Sequence, residues 1–224
     1  MAAAPPPRYT SPQNRETIIL KLYFAQGTCA LASLIALEEA GLAYEPKKLS
    51  IKDNEQRAAD YLAINPKGRV PALVTDRGVL TETIAILAYI AQTVPQAKLA
   101  RLDDPFEFAR LQAFNSYLSS TVHVNHAHSR RGARWANDPA AIADMSAKVP
   151  QTMGESFEMI ENKMFAGPWA MGEQYTVADG YLFTMTKWLP GDGVDMARFP
   201  KVSAHYARML ERPAVKAALA KDQA

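Results

Sequence analysis

The sequence contains a single cysteine, Cys29, among its 224 residues. One cysteine excludes a disulfide within the chain. Ala32 stands where the second cysteine of a dithiol motif would be, so any disulfide chemistry must use an external thiol. This scarcity of cysteine favours a reducing, cytoplasmic setting.

Long apolar runs and an excess of one charge are also missing. No stretch approaches the roughly 20 apolar residues that a membrane helix needs. The 25 basic and 23 acidic residues leave a formal net charge of +2. We therefore expect neither a membrane span nor the broad basic surface of a nucleic-acid-binding protein. The length suits one large domain or two modest ones.

The N-terminus, by contrast, is rich in proline. Residues 1–16 include three consecutive prolines and scattered polar side chains. Such a segment cannot bury enough apolar area to fold, and it lacks the apolar centre of a signal peptide. We expect a disordered tail.

Residues 17–95 have the pattern of a small α/β domain. Residues 18–24 are apolar on both faces, which predicts a central strand, and the helix-forming run 29–40 ends at Gly41. Further strands are expected within residues 43–51, 70–74 and 79–80, and further helical segments within residues 55–64 and 84–91. The order βαβ followed by ββα predicts a mixed four-stranded sheet.

Strand signals almost vanish in residues 104–224, after a short linker. Asp104 and Asp138 each precede a proline, which places a capping aspartate before a proline in the first helical position. Thr176 and Asp179 have the spacing of a capping box. This part of the chain is therefore predicted to form a separate all-helical domain.

Cys29 is the first candidate for chemistry, because it lies where a strand and turn lead into a helix. The first amides of a helix are unpaired, and the helix dipole favours an anion there. On this interpretation the pKa of the Cys29 thiol is lowered. The alternative is a buried structural cysteine without a chemical role.

Two short segments are candidates for ligand binding. Pro71 opens a predicted strand, and a cis Val70–Pro71 bond would turn the Val70 backbone towards a ligand. The alternative is a trans proline on an edge strand. Thr81, Glu82 and Thr83 precede a helix. Their side chains could simply cap this helix, or they could in addition hold the amino-acid end of a ligand. In the second case Glu82 would pair with the ligand's ammonium group.

The helix that starts at Pro105 is predicted to carry a polar stripe. At 100° per residue, the stripe consists of Gln112, Ser116, His123, Arg130 and Arg134. The opposite, apolar face consists of Leu111, Phe114, Leu118 and Val122. The polar stripe faces either solvent or a cleft.

Histidines and arginines cluster near this stripe. His126 and His128 are two residues apart and face different ways on a helix, and no nearby carboxylate or thiol completes a metal site. We therefore expect no metal. The arginines at 130, 131 and 134 are expected to attract an anionic group on a substrate or to form ion pairs.

Four segments, in their order and spacing, resemble the glutathione transferase family. They are residues 27–42 around Cys29, residues 65–71 (NPKGRVP), residues 80–86 (LTETIAI) and the helix start at residues 176–183 (TVADGYLF). The likeness extends over residues 18–220 and is strongest to the bacterial beta class, which has a cysteine at its first helix. It implies a thioredoxin-like N-terminal domain at residues 17–95 and an all-helical C-terminal domain at residues 104–224.

The resemblance also implies roles for individual residues. Cys29 and His123 would be catalytic. Glutathione would contact Thr28, Lys52, Val70, Pro71, Glu82, Thr83 and Ser116. The pocket for the second substrate would include Phe24, Gln26 and Arg130. Two positions depart from the beta class, since Val124 stands where a lysine is expected and Ser116 where an asparagine is expected.

The activity that the resemblance implies is the transfer of glutathione to a small electrophile by a cytoplasmic homodimer. Glutathione would be the co-substrate, with no metal. Two alternatives remain at this point. Cys29 could be the nucleophile of a glutathione-dependent thiol transferase or reductase, or the chain could be a binding protein without catalytic activity.

Overall fold

The computed structural model describes residues 20–224. The tail predicted for residues 1–16 therefore lies outside the described residues. The strands are β1 (Leu20–Phe24), β2 (Tyr44–Lys48), β3 (Ala72–Thr75) and β4 (Gly78–Thr81). The helices are α1 (Ala30–Ala40), α2 (Ala59–Ile64), α3 (Thr83–Thr93), α4 (Pro105–Tyr117), α5 (His123–Arg131), α6 (Pro139–Met159), α7 (Val177–Thr186), α8 (Pro200–Glu211) and α9 (Pro213–Gln223).

The four strands form one mixed sheet in the order β2-β1-β3-β4. β1 is parallel to β2 and antiparallel to β3, with Leu22 opposite Leu73, and β3 is antiparallel to β4. Leu22 and Phe24 are buried, because apolar side chains of a central strand are covered by the rest of the domain. The mixed four-stranded sheet expected from the sequence is confirmed, followed by helices alone.

Helix α1 joins the two halves of the molecule. Residues 30–37 are all buried, as expected for a helix that is apolar on every side. It packs against α3 of the N-terminal half and against α7 and α9 of the C-terminal half. A Cβ atom at Gly180 of α7 would lie 3.0 Å from Cγ2 of Ile35, so the glycine permits this close contact.

Polar contacts reinforce the same junction. Arg212, just before α9, donates two hydrogen bonds to the carboxylate of Glu39 on α1, which is almost buried. The Val177 amide donates to the Leu99 carbonyl oxygen across the linker. Asp222 accepts from the Gly27 amide beside the start of α1. The position of α1 therefore depends on residues from both ends of the chain.

The capping box predicted at the start of α7 is present and fully buried. Asp179 accepts hydrogen bonds from the Thr176 amide at 2.7 Å, the Ala170 amide at 2.7 Å and His205 Nε2 at 3.0 Å. Asp104 and Asp138 also cap their helices, as predicted. The Asp179 carboxylate thus connects the start of α7 to the preceding loop and to α8.

No helix within residues 20–224 is long and apolar enough to cross a lipid bilayer.

Replacing Asp179 with asparagine should destabilise the fold. The amide cannot satisfy the same buried donors, so we expect the free energy of unfolding to fall by about 3 kcal/mol in urea denaturation. Asp138→Asn is the matched control, because asparagine also caps a helix and the change should be below about 0.5 kcal/mol. Equal effects of the two substitutions would contradict this account.

Candidate functional site

A cleft of about 720 Å³ lies between the two halves of the molecule. It is lined by segments that are distant in the sequence. The N-terminal half contributes Gly27, Thr28, Cys29, Ile51, Gln56, Arg57, Asn65, Gly68, Arg69, Val70, Pro71, Glu82, Thr83 and Ile84. The C-terminal half contributes Ser119, His123, Val124, His126, Ala127, Arg130, Arg131, Arg134, Trp135, Tyr181 and Trp188. The structure therefore brings together Thr28, Cys29, Val70, Pro71, Glu82, Thr83, His123 and Arg130.

Cys29 occupies the N-cap position of α1 and is only 7% exposed. Burial raises the pKa of its thiol above the ordinary value, and the Thr83 hydroxyl and the Arg131 charge oppose this shift only in part. The lowered pKa expected from the sequence is wrong, because loss of hydration outweighs the helix dipole and the neighbouring cation. The thiol accordingly lies 3.6 Å from the Val70 carbonyl oxygen, to which it donates.

Thr28 precedes this cysteine at the edge of the cleft. Its hydroxyl donates to the Ala25 carbonyl oxygen at 2.7 Å. A hydroxyl has a single proton to donate. To donate to a ligand, Thr28 would have to give up the bond to Ala25.

The Val70–Pro71 peptide bond is cis. The turn before it is held by Tyr61 and Asn65, which both donate to the Arg69 carbonyl oxygen at 2.6 Å. Among residues 20–224, no acceptor is within hydrogen-bonding reach of the Val70 amide. This amide at the cleft is therefore able to bind a ligand.

Glu82 and Thr83 lie at the start of α3. Glu82 has a φ of 71°, a conformation that costs a non-glycine residue about 1–3 kcal/mol. No side chain caps this helix, so its first amides are open to an anion. The sequence left open whether these residues only cap the helix, and the structure shows that they do not cap it with their side chains.

The two side chains point to different environments. Glu82 is exposed and pairs with Lys67, which also donates to the Thr81 hydroxyl at 2.7 Å. Thr83 is buried, and its hydroxyl is in contact with Cys29 and Tyr181. The start of α3 thus offers a carboxylate at the surface and a hydroxyl at the base of the cleft.

A wide turn at residues 118–122 separates α4 from α5. The His123 amide donates to the Leu118 carbonyl oxygen, five residues earlier, so the turn is π-helical. The extra residue rotates the next part of the helix by about 100° relative to an uninterrupted helix. The predicted polar stripe is therefore broken, with His123 in the cleft and Ser116 exposed and outside it. Ser119 takes the place along the cleft wall that was expected for Ser116.

His123 faces the cleft beside Trp188, with 5.1 Å between the ring centroids. Burial lowers the pKa of His123 to about 4, helped by the charges of His126, Arg131, Arg134 and Arg69. The imidazole is therefore neutral at neutral pH and suited to hydrogen bonding.

Three further predicted residues do not line this cleft. The Phe24 side chain belongs to the core beneath β1, where apolar packing holds it, and Lys52 extends from an exposed turn into solvent. Gln26 lines a smaller adjoining recess of about 340 Å³.

The sequence did not predict a second wall of the cleft, which is formed by His126 and Trp188. His126 Nδ1 is 2.8 Å from a carboxylate oxygen of the buried Asp192, and its ring stacks on Trp188 with 4.0 Å between centroids. The Trp188 indole donates to the Gly27 carbonyl oxygen at 3.0 Å. These contacts join residues far apart in the chain, so no local sequence pattern could have indicated them.

Within the described part of the chain, no group of three or more histidine, cysteine, aspartate or glutamate residues is arranged to hold a metal ion.

Comparison with known proteins agrees with this architecture. The family model "Glutathione S-transferase, N-terminal domain" matches residues 19–92, and "Glutathione S-transferase, C-terminal domain" matches residues 136–213. The glutathione S-transferase GstA of Escherichia coli O157:H7 is 30% identical over 91% of this chain and 98% of its own length. The chain belongs to the glutathione S-transferase family.

Solved structures extend the likeness. A glutathione transferase homologue from Sulfitobacter, with bound glutathione, is 44% identical, with a TM-score of 0.89, and the match covers 92% of this chain and 99% of that one. A bacterial beta class glutathione S-transferase from Sphingomonas chungbukensis is 35% identical, with a TM-score of 0.75 and coverage of 90% and 98%. The two-domain fold expected from the sequence is confirmed.

The raised pKa of Cys29 can be measured directly, because no other cysteine is present. The rate of alkylation by iodoacetamide rises with pH as the thiol becomes a thiolate. We expect the midpoint of this rise at a higher pH in the folded chain than in concentrated guanidinium chloride, where an ordinary thiol has a pKa of about 8.5. Arg131→Gln should move the folded midpoint higher still, since it removes a cation, whereas Arg110→Gln on the exposed face of α4 should not. A folded midpoint at or below that of the unfolded chain would overturn this account.

Proposed function

We propose that the cleft binds glutathione and that the chain transfers it to a small electrophile. The observation that carries this proposal is the convergence of Cys29, Val70, Glu82, Thr83 and His123 on one cleft. The glutathione bound in the Sulfitobacter relative supports it.

Each group along the N-terminal side of the cleft suits one part of the tripeptide. The open amides of α3 and the Thr83 hydroxyl would hold the γ-glutamyl carboxylate, and Glu82 its ammonium group. The backbone of Val70 would pair with the cysteinyl residue of glutathione. This arrangement would place the glutathione sulfur towards Cys29 and His123.

We further propose that the chain is a cysteine-type member related to the beta class. Cys29 at the start of α1 and the likeness to the Sphingomonas protein support this assignment. Val124, where that class has a lysine, implies that the thiol is stabilised differently here. By family likeness we also expect a cytoplasmic homodimer.

Conjugation is the reaction that the electrostatics favour. The glutathione thiol releases its proton to solvent, the sulfur attacks an electrophilic carbon, and the leaving group departs with its electron pair. His123, with a pKa of about 4, is a weak base, so its role would be to hydrogen-bond the sulfur. The Arg131 charge would favour the thiolate, and confinement beside the electrophile would supply effective concentration.

Thiol transfer by Cys29 is the second candidate reaction. A Cys29 thiolate would attack one sulfur of a disulfide and release the other as a thiolate, and glutathione would then resolve the mixed disulfide. The location of Cys29 in the cleft supports this reaction, but its raised pKa leaves little thiolate at neutral pH. Conjugation is therefore the main proposal.

Binding of glutathione tests the proposal through Thr83. Thr83→Ala removes one hydrogen bond to a carboxylate, so we expect about tenfold weaker binding of reduced glutathione by isothermal titration calorimetry. Thr93→Ala is the matched control at the other end of α3, where the hydroxyl only bonds the Tyr89 carbonyl oxygen. Equal affinity of the two variants would refute the role of Thr83. Failure of the unmodified chain to bind millimolar glutathione would refute the proposed function itself.

The role of Cys29 is tested by Cys29→Ser. We expect conjugation of 1-chloro-2,4-dinitrobenzene to fall by less than about tenfold, because the attacking sulfur belongs to glutathione. Glutathione-dependent reduction of hydroxyethyl disulfide should be lost, because that reaction needs the Cys29 sulfur. If both activities are unchanged, Cys29 is not catalytic. Thermal unfolding of the variant checks that the fold is intact.

A further inference from the structure

Positively charged side chains from both halves of the molecule converge on the cleft. Five arginines line it, whereas Glu82 is the carboxylate among its lining residues and is already paired with Lys67. The arginines are Arg57, Arg69, Arg130, Arg131 and Arg134. The whole chain has a net charge of only +2, so this is a local positive field rather than a property of the surface as a whole.

None of these five arginines forms an ion pair with a carboxylate of residues 20–224. The arginines that do so, Arg101, Arg110, Arg198 and Arg212, lie elsewhere. The sequence allowed either ion pairs or an anionic ligand for the arginines at 130, 131 and 134, and the described contacts contain no such pairs.

The arginines in the cleft also repel one another. Partial burial lowers the pKa of Arg134, and the charges of Arg131, Arg69 and Arg57 lower it further. Cations brought together from three segments destabilise each other unless an anion is bound among them. The arrangement is therefore suited to an anionic ligand.

Glutathione alone would not balance the charge of the five arginines. It has two carboxylates and one ammonium group at neutral pH, and the start of α3 with Glu82 suits one carboxylate and the ammonium. One carboxylate then remains for five guanidinium groups. Arg130 and Arg131 also line the adjoining recess with Trp188, on the side away from α3.

We propose that the second substrate is an electrophile that carries an anionic group, such as a carboxylate, held by Arg130 and Arg134. This inference rests on the proposed glutathione transferase function. Arg130 lies in the last turn of α5 and Arg134 in the short 3₁₀ turn that follows it. Both are exposed and line the same cleft, so one carboxylate can be held between them.

A pair of electrophiles with and without a negative charge tests this proposal. Because a carboxamide activates the ring more than a carboxylate does, each kcat/KM is divided by the rate constant of the uncatalysed reaction with glutathione. In 4-chloro-3,5-dinitrobenzoate and 4-chloro-3,5-dinitrobenzamide, the glutathione sulfur bonds to the same aromatic carbon and chloride leaves, while the thiol proton passes to solvent. After this division we expect kcat/KM to be about tenfold higher for the benzoate, from about threefold for each exposed arginine. Added salt should reduce this preference.

The variants identify the residues responsible. Arg130→Gln with Arg134→Gln should reduce the benzoate-to-benzamide ratio of kcat/KM to near one. Arg77→Gln is the control, because it also removes one positive charge but lies in the exposed β3–β4 hairpin. It should leave the ratio unchanged. A ratio near one in the unmodified chain, or an unaltered ratio in the double variant, would overturn the proposal. A higher KM for glutathione with an unaltered ratio would assign these arginines to glutathione instead.

A binding measurement separates this inference from the transferase activity. The unreactive 3,5-dinitrobenzoate and 3,5-dinitrobenzamide can be titrated against tryptophan fluorescence, since Trp135 and Trp188 line the cleft. We expect about tenfold tighter binding of the benzoate, lost in the double variant. Absence of turnover together with this preference would refute only the transferase function. If both chlorinated substrates are turned over but 3,5-dinitrobenzoate and 3,5-dinitrobenzamide bind equally tightly, only the anion specificity is refuted.

Discussion

The burial of α1 on every side is the constraint on which the rest of the structure depends. Its apolar residues pack on the sheet and α3 on one side and on α7 and α9 on the other. The two halves therefore share one continuous core, and the cleft forms at the N-terminus of α1, where Gly27, Thr28 and Cys29 lie between them. Gly180 and the Glu39–Arg212 pair keep the C-terminal helices close enough to complete this core.

The same burial decides the chemistry at the end of α1. Cys29 is held within a desolvated junction, so its thiol is kept neutral although a helix N-terminus and Arg131 favour the anion. His123 is kept neutral for the corresponding reason, since burial opposes its protonation. The cationic groups that remain charged lie at the mouth of the cleft, where an incoming anion can still reach them. The cleft thus combines a neutral imidazole, that of His123, with a positively charged entrance.

Much of the candidate site could be predicted because its N-terminal half depends on local patterns. Three of its segments are recognisable from short spacings, and they lie along one cleft. These are the glycine and helix-forming run around Cys29, the proline at 71, and the start of α3. Ser116 could not be placed, because a single extra residue at 118–122 rotates the helix and leaves no clear trace in composition. Asp192 was missed for a similar reason, since its partner His126 is 66 residues away.

The sequence by itself determined the family, the order of strands and helices, and the caps at Asp104, Asp138 and Asp179, because these depend on residues within a few positions of each other. Only the tertiary structure decided the direction of the Cys29 pKa, the face on which His123 lies, and the convergence of arginines from separate segments. Desolvation and Coulomb energy depend on distances through space, and those distances exist only once both halves have packed around α1.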